Sequence, residues 1–275
     1  MAASTGNAGS SLAGICAARK QKAIIMVPEN APTAKLTQIV MYGATIVPVQ
    51  GTYDDAFDLS VAATREFGWY NRNTAYNPLT IEGKKTVAFE LTDQMDLRVP
   101  DRIFVSAGDG VILSGVYKGY EDLFQLGLID RMPVVVAVQA TGSDNLVRNL
   151  NRATFETRTS HTIADSISVD VPRNFIMAAF FLKQYGGESI TVSDEQIMHA
   201  AAELAHNTGL FAEPAAAAAF AGMQAYRKQN RLPEGSHNVV LLTGSGLKDL
   251  KAFASHAQMP ESIKPDLESL KAFIK

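Results

Sequence analysis

Three short loops carry the residue types most suited to holding an anion. The first is Ser4-Thr5-Gly6-Asn7, which leads into a helical stretch over residues 7–20. Free backbone N–H groups and the dipole at a helix N-terminus favour negative charge, and Ser4, Thr5 and Asn7 add short polar side chains. The second is Gly108-Asp109-Gly110-Val111, between a strand-like run and a helix. The third is Thr243-Gly244-Ser245-Gly246, after the last strand-like run. Each loop alone reads equally well as a glycine turn capping a helix. Three of them, each at the carboxyl end of a strand, favour one shared pocket for a phosphorylated ligand.

Those loops need strands behind them. Residues 23–27 (AIIMV), 45–49 (TIVPV), 102–107 (RIFVSA), 132–139 (MPVVVAVQ) and 238–243 (NVVLLT) are short β-rich runs, with a weaker one at 69–71. Pro48 puts the second of these at a sheet edge or a strand end. Helical spacing covers 33–42 before Gly43, then 52–67 behind a Thr52 cap and ending at Gly68. It recurs over 85–94, 113–123, the Ala-rich 214–229 and 266–274. Ser193-Asp194-Glu195-Gln196 is a capping box opening a helix to about residue 207. Strands alternating with helices at this spacing predict an α/β fold with parallel sheets and right-handed crossovers. Ligands then sit beyond the carboxyl ends of the strands. The first helix should bury Leu12, Ile15 and Cys16, and only Met1, Ala2 and Ala3 remain for the strand before it. A truncated βα unit is therefore expected.

With 275 residues, 47% hydrophobic and 19% charged, the chain suits one large or two ordinary globular domains. A net charge of −3 gives no reason to expect nucleic acid or a membrane as partner. The single cysteine, Cys16, cannot form an internal disulfide, so a reducing cytoplasmic setting is the simple expectation. No apolar run approaches the ~20 residues needed to span a bilayer. The start is Ala- and Ser-rich, with no acid before Glu29, as in a transit peptide. The segments that follow continue the same pattern without a break, which argues against one.

"ASTGNAGSSLAGICAA", "VPENAPTAKLTQIVMYGATIVPVQGTYDDA", "NPLTIEGKKTVAFEL", "TIADSISVDVPRN", "GLFAEPAAAAAFAG" and "LLTGSGLKD" resemble threonine synthase, in order and over nearly the whole chain. That family uses pyridoxal phosphate and has the fold type II, or tryptophan-synthase-β-like, architecture. The resemblance implies a small α/β domain over 1–73, incomplete at its N-terminus, and a larger cofactor-binding domain over 74–275. It implies that Ser4, Thr5 and Gly6 grip the substrate carboxylate while Asn7 hydrogen-bonds the cofactor's phenolic oxygen. Gly108, Asp109, Gly110, Val111 and Ile112 would hold the cofactor phosphate on backbone N–H groups. Thr243 would meet the pyridine nitrogen. A hydroxyl there need not keep that nitrogen protonated, which suits elimination and replacement better than transamination. Asp109 beside a dianion must turn its carboxylate away or find a cation. A small amino acid as substrate and a homodimeric assembly are also implied.

Two departures from the family are expected to matter. Its cofactor-bearing lysine lies upstream of the Ser4-Thr5-Gly6-Asn7 loop, in a segment this chain does not contain. Lys84 and Lys85 occupy the family's "EGxKT" motif and Lys248 its "GLKD" motif, while Lys20 and Lys22 read as surface charges. None of these is expected to replace it, so the chain is expected to lack that lysine and the first strands of the larger domain. Secondly, positions that meet the phosphate of O-phosphohomoserine differ. Ala8 stands where a hydroxyl residue is usual, Thr80 where an arginine is, and Ile112 where an asparagine is. Losing a guanidinium removes charge-assisted bonds that a phosphate wants. A threonine-synthase-like lyase or synthase acting on another amino acid is the main expectation. A non-catalytic or partner-completed fragment that binds pyridoxal phosphate, and a serine or threonine dehydratase, are the alternatives. "TGSGLKD" argues against the dehydratase.

The other candidates have plainer readings. His199 and His206 are too far apart on one helix for paired metal ligation, and His161, His237 and His256 are isolated. Asp165 and Ser166 border the pocket by resemblance, or simply form a turn before a strand. Glu213-Pro214 matches a family motif and also suffices as a helix start. Residues 175–182 (FIMAAFFL) read as core.

Overall fold

The computed structural model describes residues 1–31, 33–254, 257 and 259–274; His256 lies outside them. The chain builds two parallel sheets in succession. The first quarter gives β1 (Ala2–Ala3), α1 (Asn7–Ala18), β2 (Ile24–Pro28), α2 (Thr33–Met41), β3 (Thr45–Val49) and α3 (Tyr53–Phe67). Then come α4 (Leu79–Lys84), α5 (Thr86–Gln94), β4 (Arg102–Ser106), α6 (Val111–Gln125), β5 (Val134–Ala140) and α7 (Phe175–Gln184). The chain continues with β6 (Glu188–Val192), α8 (Asp194–Thr208), α9 (Pro214–Lys228), β7 (Asn238–Val240), α10 (Leu250–Phe253) and α11 (Leu267–Ile274). The strand orders are β1-β2-β3 and β6-β5-β4-β7, with every recorded pair parallel.

Both sheets have helices on both faces, which is why the strands other than the edge strand β6 read as apolar runs. In the larger sheet Phe104, Val136 and Val138 face α8 and α9, while Ile103, Val105, Val135 and Ala137 face α5, α6 and α7. In the smaller, Met26 faces α3, and Ile25 and Val27 face α1 and α2. The Ala-rich α9 buries Ala215 to Ala219 in turn, so its first turns pack through methyl groups. Phe104 closes that layer edge-on against Tyr226, with ring centroids 5.2 Å apart. No helix among the described residues is long and apolar enough to cross a membrane.

Several expectations needed correction. Residues 69–71 form no ladder strand; instead 70–73 run beside β1. The Met1 amine donates to Tyr70 O at 2.7 Å, Arg72 N to Met1 O at 2.9 Å, and Ala3 N to Asn73 Oδ1 at 2.6 Å. The helix expected over 85–94 is present as α5, but a further short helix, α4, precedes it across Lys85 and was not expected. β6 escaped the sequence reading because it is a half-exposed edge strand in a polar stretch. Asp165 opens a single 3-10 turn (Asp165–Ile167), with no strand after it. On α1 the buried line is Gly9, Ala13 and Cys16, whereas Ile15 is 62% exposed. α7 is core only along Ala178, Phe181 and Leu182; Ile176 and Phe180 face outward. Pro48 does occupy an edge strand, β3.

Candidate functional site

The glycine loop after β4 opens α6. Gly110 is the N-cap with φ 84°, a left-handed conformation that suits glycine, and a Cβ there would lie 2.8 Å from Ala178 Cβ. No side chain caps the helix. Among the described residues no acceptor meets the amides of residues 108–113, and Ser114 N is the first to find one, Gly110 O at 3.0 Å. A 15-residue helix thus presents open N–H groups at the carboxyl end of a central strand.

This loop is pinned from outside by residues distant in sequence. Asn174 donates from its backbone to Asp109 O at 3.1 Å and from Nδ2 to Gly110 O at 3.2 Å and Ser114 Oγ at 2.7 Å. The Asp109 carboxylate turns onto the backbone N–H of Arg173, 3.0 Å away. Burial raises the Asp109 pKa above the ordinary carboxylate range, against the hydrogen bond and charge of Arg173. Gln139, fully buried at the end of β5, donates to Ala107 O at 2.9 Å and accepts from Leu146 N and Val147 N.

The β4–β7 register pairs Phe104 with Val240. Leu241 N then donates to Phe104 O at 3.1 Å, so the chain leaves β7 beside the carboxyl end of β4, and Thr243 follows it exposed. Thr243, Gly244 and Ser245 line an open cleft of about 330 Å³ with Phe211 and Ala212. A larger cleft, about 700 Å³, includes Asp101, Arg131 and His237 and lies at the amino ends of the strands, away from the three loops.

The third loop meets the first through Asn7. Asn7 Nδ2 donates to Glu213 Oε1 at 3.4 Å, and Lys248 Nζ donates to Asn7 Oδ1 at 2.5 Å and Ser10 Oγ at 3.4 Å. The amide is therefore held with its N–H₂ toward Glu213. A Cβ on Gly244 would collide with Glu213 Oε1 and lie 3.0 Å from Asn7 Nδ2, so only glycine lets the three meet. Glu213 is the N-cap of α9 but makes no capping bond, and it is 5% exposed. Burial raises its pKa, opposed by Lys35 and Lys248. Lys35 of α2 reaches Asp165 at 2.7 Å and Asp249 at 3.6 Å. In the opening loop Ser4 Oγ accepts from Gly6 N at 3.3 Å, and Gly6 begins α1 without a side-chain cap.

Of the sequence candidates, the fold brings Asn7, Gly244 and Glu213 into one cluster, with Ser4, Thr5 and Gly6 in the loop that carries it. It places Gly108, Asp109, Gly110, Val111 and Ile112 on the neighbouring strand end. Sequence reasoning missed Arg173, Asn174, Gln139 and Lys35; only the quoted "VPRN" hinted at the first two. Thr80 Oγ spends its hydrogen on Asn77 O at 2.8 Å, so it takes no arginine's place. The donor set fits pyridoxal phosphate: open amides for a dianion, an oriented side-chain amide, and a hydroxyl at an exposed strand end.

The comparisons agree. The pyridoxal-phosphate dependent enzyme family matches residues 1–244. Threonine synthase of Methanocaldococcus jannaschii is 34% identical over 277 residues, covering 99% of this chain and 68% of that protein. The Mycobacterium tuberculosis (strain H37Rv) threonine synthase is 34% identical over 252 residues, 90% of this chain and 68% of its own length. Among solved structures, a threonine deaminase from T.th. superposes with TM-score 0.74 at 24% identity, over 89% of this chain and 76% of that one. Isoform 2 of threonine deaminase from Solanum lycopersicum gives 0.79 at 19%, over 94% and 73%. The chain belongs to the pyridoxal-phosphate dependent enzymes, with the α/β architecture of fold type II and pyridoxal phosphate as its cofactor.

Proposed function

We propose that the protein is a threonine-synthase-like lyase or synthase, acting on an amino acid by elimination or replacement of a side-chain substituent. The observation that carries this is the set of open amides over 108–113 beside the Asn7–Glu213–Gly244 cluster. The likeness to threonine synthases supports it. Gly108, Asp109, Gly110, Val111 and Ile112 hold the cofactor phosphate on the backbone, and the Asp109 carboxylate stays on Arg173 N. Asn7, its amide fixed by Lys248, donates to the phenolic oxygen. Ser4, Thr5, Gly6 and the first amides of α1 bind the substrate carboxylate. Thr243 faces the pyridine nitrogen. When bound, pyridoxal phosphate would supply the electron sink that weakens the bonds at the substrate's Cα.

Incubation with pyridoxal phosphate and, separately, O-phosphohomoserine, phosphoserine and threonine tests this. Release of phosphate or of a keto acid from one of the three is expected. A protein that binds the cofactor yet turns over none of these substrates contradicts the reading.

A further inference from the structure

Arg72, on the segment beside β1, and Lys84, at the end of α4 where it packs on α6, are left without anionic partners. On the 70–73 segment, Asn71 and Asn73 turn their side chains onto α3. Asn71 Nδ2 reaches Thr64 Oγ1 at 2.9 Å, and Asn73 Nδ2 reaches Ser60 Oγ at 2.5 Å. An extended segment alternates, so Arg72 between them points the other way. Its Nη1 is buried and meets no acceptor. Lys84 closes α4 on the same face as Thr80, four residues earlier, and its Cβ packs where a Cβ on Gly115 of α6 would collide. Neither Arg72 nor Lys84 makes an ion pair among the described residues.

The charges around them do not neutralise the pair. Asp109 is the acid that Lys84 feels, and its carboxylate is already bonded to Arg173 N. Arg173 pairs with Asp54 of α3, and its own Nη1 is a second buried orphan. Burial, then the repulsion of Arg72, pulls the Lys84 pKa down to about 8, with Asp109 opposing. Burial lowers Arg72 as well. Two desolvated cations near enough to repel each other are costly unless an anion joins them.

The geometry points to an oxyanion subsite formed by Arg72 and Lys84 beside the cofactor loop, taking a phosphate-sized group. It supplies, from residues 72 and 84, the positive charge that Thr80 does not. Its assignment to the substrate's departing group rests on the proposed elimination chemistry; anion binding itself does not.

The probe is inorganic phosphate, titrated calorimetrically at pH 7 and low salt into the full chain, with and without saturating pyridoxal phosphate. Arg72→Gln and Lys84→Gln should each weaken an oxyanion at this subsite about tenfold or more. Arg72→Lys and Lys84→Arg should keep most of the affinity, and thermal melts show which variants remain folded. Wild-type affinity should fall as pH rises through about 8, where Lys84 loses its proton. Phosphate binding by the cofactor-saturated protein, lost in the Gln variants, assigns the subsite to the substrate. Weakened pyridoxal phosphate binding in those variants, with phosphate competing against it, assigns it to the cofactor. Phosphate and pyridoxal phosphate binding unchanged in folded Gln variants overturns the subsite. So does a wild type that binds no phosphate and whose Gln variants hold the cofactor normally. Phosphate binding without any cofactor binding would instead sink the functional reading and leave the subsite standing.

Discussion

Gly244 shows how narrowly the site is specified at a single residue. Its missing side chain is what lets Asn7 and Glu213 reach the loop after β7. Gly244→Ala should lower pyridoxal phosphate affinity about tenfold or more, roughly 1.4 kcal/mol, with the far-ultraviolet spectrum unchanged. Equilibrium dialysis of both proteins reads this. Lys84 carries a pH signature in stability. Its pKa in the fold, about 8, lies below the ordinary lysine value, so the unfolded chain binds that proton more readily. Stability should therefore rise as pH climbs from about 8 toward the unfolded value, and the penalty is full below about 8. Lys84→Met should be more stable than wild type in urea at pH 7, with the gain vanishing toward pH 10.5. The polar loops were legible in sequence because glycine and short polar residues before a helix are local signals. Arg173 and Lys35 were not, because each finds its partner more than a hundred residues away, Arg173 at Asp54 and Lys35 at Asp165.

At the scale of elements, α3 and α8 begin where their chemistry says they must. Thr52 and Asp55 close a complete capping box at the start of α3, as Ser193 and Gln196 do for α8. Thr52→Ala should cost about 1 kcal/mol in urea denaturation, since it strands a helix N–H. The α6 start is built the opposite way: glycine, no capping side chain, amides left open. The capping boxes of α3 and α8 were legible in the sequence, whereas the open amides of α6 were not, since α7 and α9 also start without a side-chain cap. β6 was not visible, because four of its five residues are only partly buried and its alternation is diluted by Glu188, Ser189 and Thr191.

At the scale of the molecule, two polar bridges join the sheets around the site. Asp54 of α3 pairs with Arg173, and Lys35 of α2 with Asp165 and Asp249. Arg173 also lies 4.1 Å from the Phe57 ring centroid, so this contact is packed as well as charged. Lys35→Ala should cost about 1 kcal/mol, kept small by the exposure of Asp165, and should leave both sheets folded in circular dichroism. The alternation of strand and helix sufficed to anticipate parallel sheets. It could not show that the two sheets meet through these side chains, since periodicity describes one element at a time.

The central claim is that the open amides after β4 hold the cofactor phosphate. Equilibrium dialysis of pyridoxal phosphate against wild type and Gly110→Ala tests it most directly, because a Cβ at Gly110 is disfavoured by its φ of 84° and crowded by Ala178 and Leu146. The account predicts saturable binding to wild type and a loss of about tenfold or more in the variant. No saturable binding to wild type, or equal binding to both folded proteins, would contradict it.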